Sequence, residues 1–176
     1  MHQLLLLRHA KSSWDDSKLP DRDRPLNDRG RKAAAMMREA MHELGLFPDM
    51  VLVSSARRTM ETLAALEPWT ETPLIEPLDA LYLATAGQLL DAVRDVSDTV
   101  RSVLVIGHNP GMHDLALTLC SAAPPPGMAD AARRLEAGFP TAALAEFAVA
   151  TPWSQVAPRA GRLIRFLTPR GMAKED

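Results

Sequence analysis

Three short segments carry the residues that could do chemistry: Arg8-His9-Ala10-Lys11, Ser54-Ser55-Ala56-Arg57-Arg58-Thr59 and Gly107-His108-Asn109-Pro110-Gly111. Neutral imidazole is a nucleophile, and guanidinium presents a planar fork of donors to phosphate oxygens. In the third segment Asn109 suits a helix N-cap and Pro110 the first helical position, where its missing N–H costs nothing. His108 would then stand just before a helix N-terminus, whose free N–H groups favour an anion. Ser54 or Ser55 can cap a second helix with Arg57 and Arg58 in its first turn. A histidine at a strand end is often only a hydrogen-bonding residue, and Gly-His-Asn-Pro alone could be a capped turn. Three such segments in equivalent positions point instead to one pocket for a dianion, with phosphate the best candidate.

The type of reaction follows by elimination. A metal hydrolase needs more His, Asp or Glu ligands at tight spacing. His2 is expected before the first strand, His42 inside a helix and His113 five residues beyond His108, so no metal and no cofactor is expected. There is no Gly-rich Walker loop for a nucleoside triphosphate and no Gly-x-Ser-x-Gly elbow for acyl transfer. Nucleophilic catalysis by imidazole remains. Neutral His9 would attack phosphorus while Arg8, Arg58 and His108 neutralise charge on the equatorial oxygens.

The elements that must position these groups are legible around them. Apolar runs at 4–7, 51–53 and 103–106 lack polar alternation, the pattern of strands covered on both faces in a parallel sheet. Weaker strand signals lie at 74–76, 143–150 and 161–167. Helices are expected at 28–46, 57–66, 85–96 and 110–120, the first ending at Gly45. Strands alternating with helices predict an α/β fold, a three-layer α/β/α sandwich with a mostly parallel central sheet. Ligands of such sheets bind beyond the carboxyl ends of the strands, where the three segments fall. The proline-rich stretch 124–130 is expected to be a loop, as is 151–159. Residues 124–130, Trp153 and the tail 174–176 carry no functional assignment.

Length and composition narrow the class. The 176 residues fit one domain spanning 1–176, and a net charge of −2 leaves no chain-wide footprint for nucleic acid. The single cysteine, Cys120, excludes an intrachain disulfide and reads as a small core residue. Residues 1–7 contain four consecutive leucines, but Arg8 interrupts the run, which is too short for a secretory signal, and no stretch is long enough to span a bilayer. The expectation is a cytoplasmic protein without membrane partners.

Taken together, Leu6-Leu7-Arg8-His9-Ala10, the Ser54-x-x-x-Arg58-x-x-x-Thr62 spacing and Gly107-His108-Asn109-Pro110 resemble the histidine phosphatase superfamily, the phosphoglycerate mutase-like fold. The chain is most similar to its SixA-like phosphohistidine phosphatases. That likeness rests on Arg8-His9-Ala10-Lys11-Ser12-Ser13-Trp14, Asp23-Arg24-Pro25-Leu26-Asn27-Asp28-Arg29-Gly30, Leu81-Tyr82 and Phe166-Leu167-Thr168-Pro169-Arg170. The resemblance implies that His9 accepts the phosphoryl group and that Arg8, Arg58 and His108 complete the catalytic and substrate-binding pocket. Arg58 fits the motif, whereas Arg57 would point about 100° away on a helix, toward solvent. Many relatives have Gly where Ala10 stands, and Ser55-Ala56 replaces a commoner Asp/Pro-Leu pair. A general acid implied by larger relatives falls nearest Asp79, with Glu76 the alternative; either could equally be a surface carboxylate.

The expected substrate is phosphohistidine in a signalling or phosphocarrier protein. A P–N bond to a protonated imidazole breaks without a strong acid, and the short intervals between motifs leave little material for a lid. The alternatives are a broad small-molecule phosphomonoesterase or mutase, or a non-catalytic phosphate-binding module.

Overall fold

In a computed structural model of the chain, residues 1–173 are described and residues 174–176 lie outside them. The elements run β1 (His2–Arg8), α1 (Asp28–Glu43), β2 (Met50–Ser54), α2 (Arg57–Ala65), β3 (Leu74–Leu78), α3 (Ala86–Arg94), β4 (Ser102–Gly107), α4 (Gly111–Leu119), α5 (Ala129–Ala137), β5 (Leu144–Val149), β6 (Gly161–Leu167) and α6 (Pro169–Met172). The strands form one sheet in the order β3-β2-β4-β1-β5-β6. Strands β3, β2, β4 and β1 pair parallel, and β5 pairs antiparallel with both β1 and β6, so β5 alone runs against the rest.

The continuous apolar runs have a simple cause. Successive side chains of a strand point to opposite faces. Leu4 and Leu6 enter one core with Val103, Val105, Leu89, Leu115 and Leu135, whereas Leu5 and Leu7 enter another with Val51, Val53, Met37, Met41 and Leu63. Helices α3, α4 and α5 therefore cover one face and α1 and α2 the other. The four leucines are fully buried, each worth on the order of 2 kcal/mol of transfer from water. β3 is one edge of the sheet, mostly exposed and carrying Pro77, which is why its signal is weak.

Several boundaries move. Gly45, at φ +66°, turns the chain out of α1, two residues past the helix's end at Glu43. Thr85 is the N-cap of α3 in a reciprocal capping box with Gln88. His2 is the first residue of β1, paired with Val149, rather than preceding the strand. The expected loop 124–130 is shorter, because Ala129 and Asp130 begin α5, a helix the sequence reading lacked. Its buried stripe is only Ala131 and Leu135, too few positions for a periodic signal. Trp153 is a core residue whose indole N–H donates to Val100 O at 2.7 Å. Cys120 is half-buried at the end of α4, and burial pushes its thiol up from the ordinary range. No described helix is long and apolar enough to cross a membrane.

Candidate active site

Sheet register brings three strand ends level. Arg8 of β1 lies opposite Gly107 of β4, and Val53 of β2 opposite Ile106. The His9 N–H continues the ladder by donating to Gly107 O at 3.1 Å. His9 follows β1, His108 follows β4 and Ser54 ends β2, so the rings of His9 and His108 sit with centroids 5.2 Å apart. Arg58 comes from the first turn of α2, and Arg8 from the last position of β1. All four predicted residues, His9, His108, Arg8 and Arg58, line one cavity of about 390 Å³.

The backbone beyond β1 is clamped. Asn27 caps α1 by accepting from Gly30 N at 2.8 Å, and its own N–H donates to Lys11 O. A Cβ on Gly30 would lie 2.0 Å from that Lys11 oxygen, so only glycine allows α1 to approach this closely.

His9 is buried with its Nδ1 2.7 Å from Ala10 O. A carbonyl oxygen only accepts, so Nδ1 carries the proton and Nε2 keeps a free lone pair. Ala10 is held in turn: its N–H donates to Thr62 Oγ1 at 3.0 Å, and that hydroxyl donates to Arg58 O at 2.7 Å. Burial, reinforced by the charges of Arg58, Arg8 and Arg24, pushes His9 down to about 4 against the pull of the Ala10 bond. His9 is neutral at pH 7.

His108 is also buried, with Nε2 2.7 Å from Ser54 Oγ and Nδ1 without a partner among the described residues. Burial, then the neighbouring His9 and Arg58, pushes it down to about 3, while Asp21 pulls the other way. The Tyr82 ring meets His108 edge-on at 5.4 Å.

The guanidiniums are held through part of their donor sets. Arg8 Nη1 donates to Phe139 O at 3.1 Å, and Arg58 donates to Asp21 O at 2.7 Å and Asp21 Oδ2 at 3.0 Å. Nε of each is buried without a partner among the described residues. Burial and the charge of Arg58 lower Arg8 from its ordinary range. Two close cations and two neutral imidazoles form a positive, partly dry seat suited to an oxyanion, with His9 Nε2 as the group that can attack it. Arg57 instead points outward to Glu61 at 3.6 Å, as its place in the spacing predicted.

Some sequence expectations are corrected. Neither Ser54 nor Ser55 caps α2; Ala56 is at the cap without a side-chain bond, and Ser54 serves His108 instead. α4 starts at Gly111, so Pro110 occupies the cap position, while Asn109 Oδ1 accepts from His113 N at 3.2 Å. Asp79 and Glu76 do not line the cavity. Both are exposed, and Asp79 is bound to Arg22 and Ser55, which hold its carboxyl below the ordinary range. Among the described residues the carboxylate in the cavity is Asp21, from a 3-10 turn at Asp21–Asp23, joined to Arg58, Arg24 and the Tyr82 hydroxyl. Trp14 and Arg24 line the cavity too. These residues sit in an irregular connection with no periodicity, and their grouping depends on contacts across the fold.

A model of the histidine phosphatase superfamily (branch 1) matches residues 4–81. The uncharacterized protein Rv1276c of Mycobacterium tuberculosis is 34% identical over 167 residues, spanning 93% of this chain and 100% of that protein. Among solved structures, SixA of Agrobacterium tumefaciens, assigned as a phosphohistidine phosphatase, is 30% identical with a TM-score of 0.78, over 96% of this chain and 98% of that one. SixA of Nakamurella multipartitia, likewise assigned, is 26% identical with a TM-score of 0.82, over 96% of each chain.

Proposed function

The chain belongs to the histidine phosphatase superfamily and is a phosphatase, and we propose that it removes the phosphoryl group of phosphohistidine in a partner protein through a covalent intermediate on His9. The observation that carries this is the lone pair on His9 Nε2, fixed by the Nδ1 bond to Ala10 O, in a cavity shared with Arg8, Arg58 and His108.

In the first step Nε2 of His9 attacks phosphorus. The substrate's P–N bond breaks and its electron pair returns to the leaving imidazole, which departs neutral with the proton it already carried. The phosphorylated His9 ring then holds one positive charge, with Nδ1–H still directed at Ala10 O. In the second step water attacks phosphorus, the P–Nε2 bond breaks toward His9, and inorganic phosphate leaves with the water oxygen. Arg8, Arg58 and His108 stabilise the charge on the transferring oxygens in both steps.

The available acid favours this substrate over an alkyl ester. Asp21 is the carboxylate lining the cavity, and the Tyr82 hydroxyl, with Arg58 and Arg24, holds it down to about 2. It is ionised at neutral pH and cannot protonate an alkoxide. A leaving imidazole makes no such demand. The SixA relatives, similar along nearly their full length, are assigned to the same chemistry.

The test is incubation of the chain, beside His9→Ala, with a phosphohistidine-bearing carrier protein. Expected are phosphate release and a transient acid-labile phosphoryl group on His9, both absent in the variant. Faster turnover of sugar phosphates than of the phosphohistidine protein would overturn the substrate assignment.

A further inference from the structure

Trp14 is 73% exposed, yet it lines the same cavity as His9. A large apolar ring in water needs an explanation, and here its surroundings hold it still. The Arg24 guanidinium carbon lies 3.6 Å from the indole ring's centroid, a close cation–π contact. Arg24 itself is buried and immobilised, donating to Ser12 Oγ at 2.6 Å, Ser13 O at 3.2 Å and Asp21 Oδ1 at 3.1 Å. On either side of the indole's backbone, Ser13 N–H donates to Pro25 O and Asp15 N–H to Ser13 Oγ. One face of the indole is therefore pinned to a fixed cation, and the remaining surface is open at the mouth of the cavity.

Position decides what that surface can meet. In an in-line transfer the leaving atom lies opposite the attacking His9 Nε2. With the phosphoryl oxygens held by the imidazoles and guanidiniums, as proposed above, the leaving group would project toward the open side of the cavity. There Trp14 and Leu83, itself 52% exposed, supply flat apolar surface. Lys11, Ser12, Asn109 and Thr141 line the same cavity and can meet polar groups, but the exposed indole offers what only a planar ring can use, a face to stack on.

Resting on the phosphohistidine assignment above, we propose that Trp14 is the leaving-group subsite, a platform against which the imidazole of the phosphorylated histidine stacks.

The test compares the unmutated chain, Trp14→Ala and Trp14→Phe on a phosphohistidine peptide and a phosphotyrosine peptide, with binding of inorganic phosphate measured by calorimetry. Trp14→Ala is expected to lower kcat/KM on the phosphohistidine peptide about tenfold, mainly through KM, with Trp14→Phe recovering to within about threefold. Phosphate affinity should stay within about twofold in both variants, because the phosphoryl seat does not include the indole. Weaker phosphate binding in step with the lost activity would overturn the subsite by making Trp14 a structural prop. Unchanged kcat/KM on phosphohistidine, or a loss confined to phosphotyrosine, would overturn it as well. Failure of the phosphatase assignment itself would look different, as no turnover of either peptide by the unmutated chain.

Discussion

Ser54 Oγ lies 2.7 Å from His108 Nε2, across the gap between the ends of β2 and β4. The serine oxygen already accepts from Ala56 N–H at 3.3 Å. Its own proton is free to be donated to Nε2, and in that tautomer His108 carries its hydrogen on Nδ1. That nitrogen has no partner among the described residues, and in the proposed reaction it would donate to a phosphoryl oxygen. Ser54→Ala should release the ring and mix its tautomers. We expect kcat to fall about 10- to 100-fold with little change in KM, as for a donor that matters most in the transition state. Nitrogen-15 shifts of His108 should move from the Nδ1–H pattern toward a mixture. An unmoved tautomer with kcat within twofold would leave Ser54 no part in positioning.

Thr62 does for His9 what Ser54 does for His108, one bond further away. Its hydroxyl holds Ala10 N–H, and Ala10 O holds His9 Nδ1. Thr62→Val keeps the volume but strands a buried N–H, at a cost of about 1–3 kcal/mol. For a chain of this length the melting temperature should drop by roughly 2–12 °C. Thr62→Ser should retain both bonds and most of the stability. Thermal unfolding of the two variants decides it, and equal stability of Thr62→Val and the unmutated chain would refute the account.

These two residues show how far the sequence could be read. The spacing Ser54, Arg58, Thr62 was visible as a motif, and strand ends at 7, 53 and 106 placed its members beside His9 and His108. Identifying what each residue touches needed the fold, because Ser54 Oγ serves a ring 54 positions away rather than the helix that follows it. Asp21 was missed for a related reason. It stands in a connection without periodicity, and only the packing of that connection over α2 gives it Arg58 and Tyr82 as partners. Asp79 looked better placed because it follows a strand, but β3 is an edge strand, and the residue faces solvent with Arg22.

A phosphoryl group bound in this cavity would compete with Asp21 for the same guanidinium. The carboxylate lies 3.0 Å from Arg58 Nη2, and nothing near neutral pH protonates it, since it sits at about 2. Asp21→Asn removes that negative charge while keeping a polar side chain of the same size. Inorganic phosphate should then bind about fivefold more tightly, close to 1 kcal/mol, and product inhibition should deepen accordingly. Weaker phosphate binding in the variant would mean that Asp21 chiefly orients Arg58 rather than competing for it.

The pH behaviour follows from the two neutral imidazoles. With His9 at about 4, nearly all of it is free base at pH 5. An unperturbed histidine near 6.5 would be about 97% protonated there. The single-turnover rate of His9 phosphorylation, after allowance for the substrate's own ionisation, should therefore change less than about threefold between pH 7 and pH 5, rather than about 25-fold. Stability should respond in the opposite sense. The folded values lie below the unfolded value, so between pH 6.5 and 4 the unfolded chain binds protons that the folded chain does not. Unfolding is favoured as pH falls through that window, and His9 alone costs roughly 2.5 kcal/mol between pH 7 and 4.5. His9→Asn should flatten this part of the stability profile, measured by urea unfolding at both pH values. A variant that loses stability as steeply as the unmutated chain would show that other groups drive the acid sensitivity.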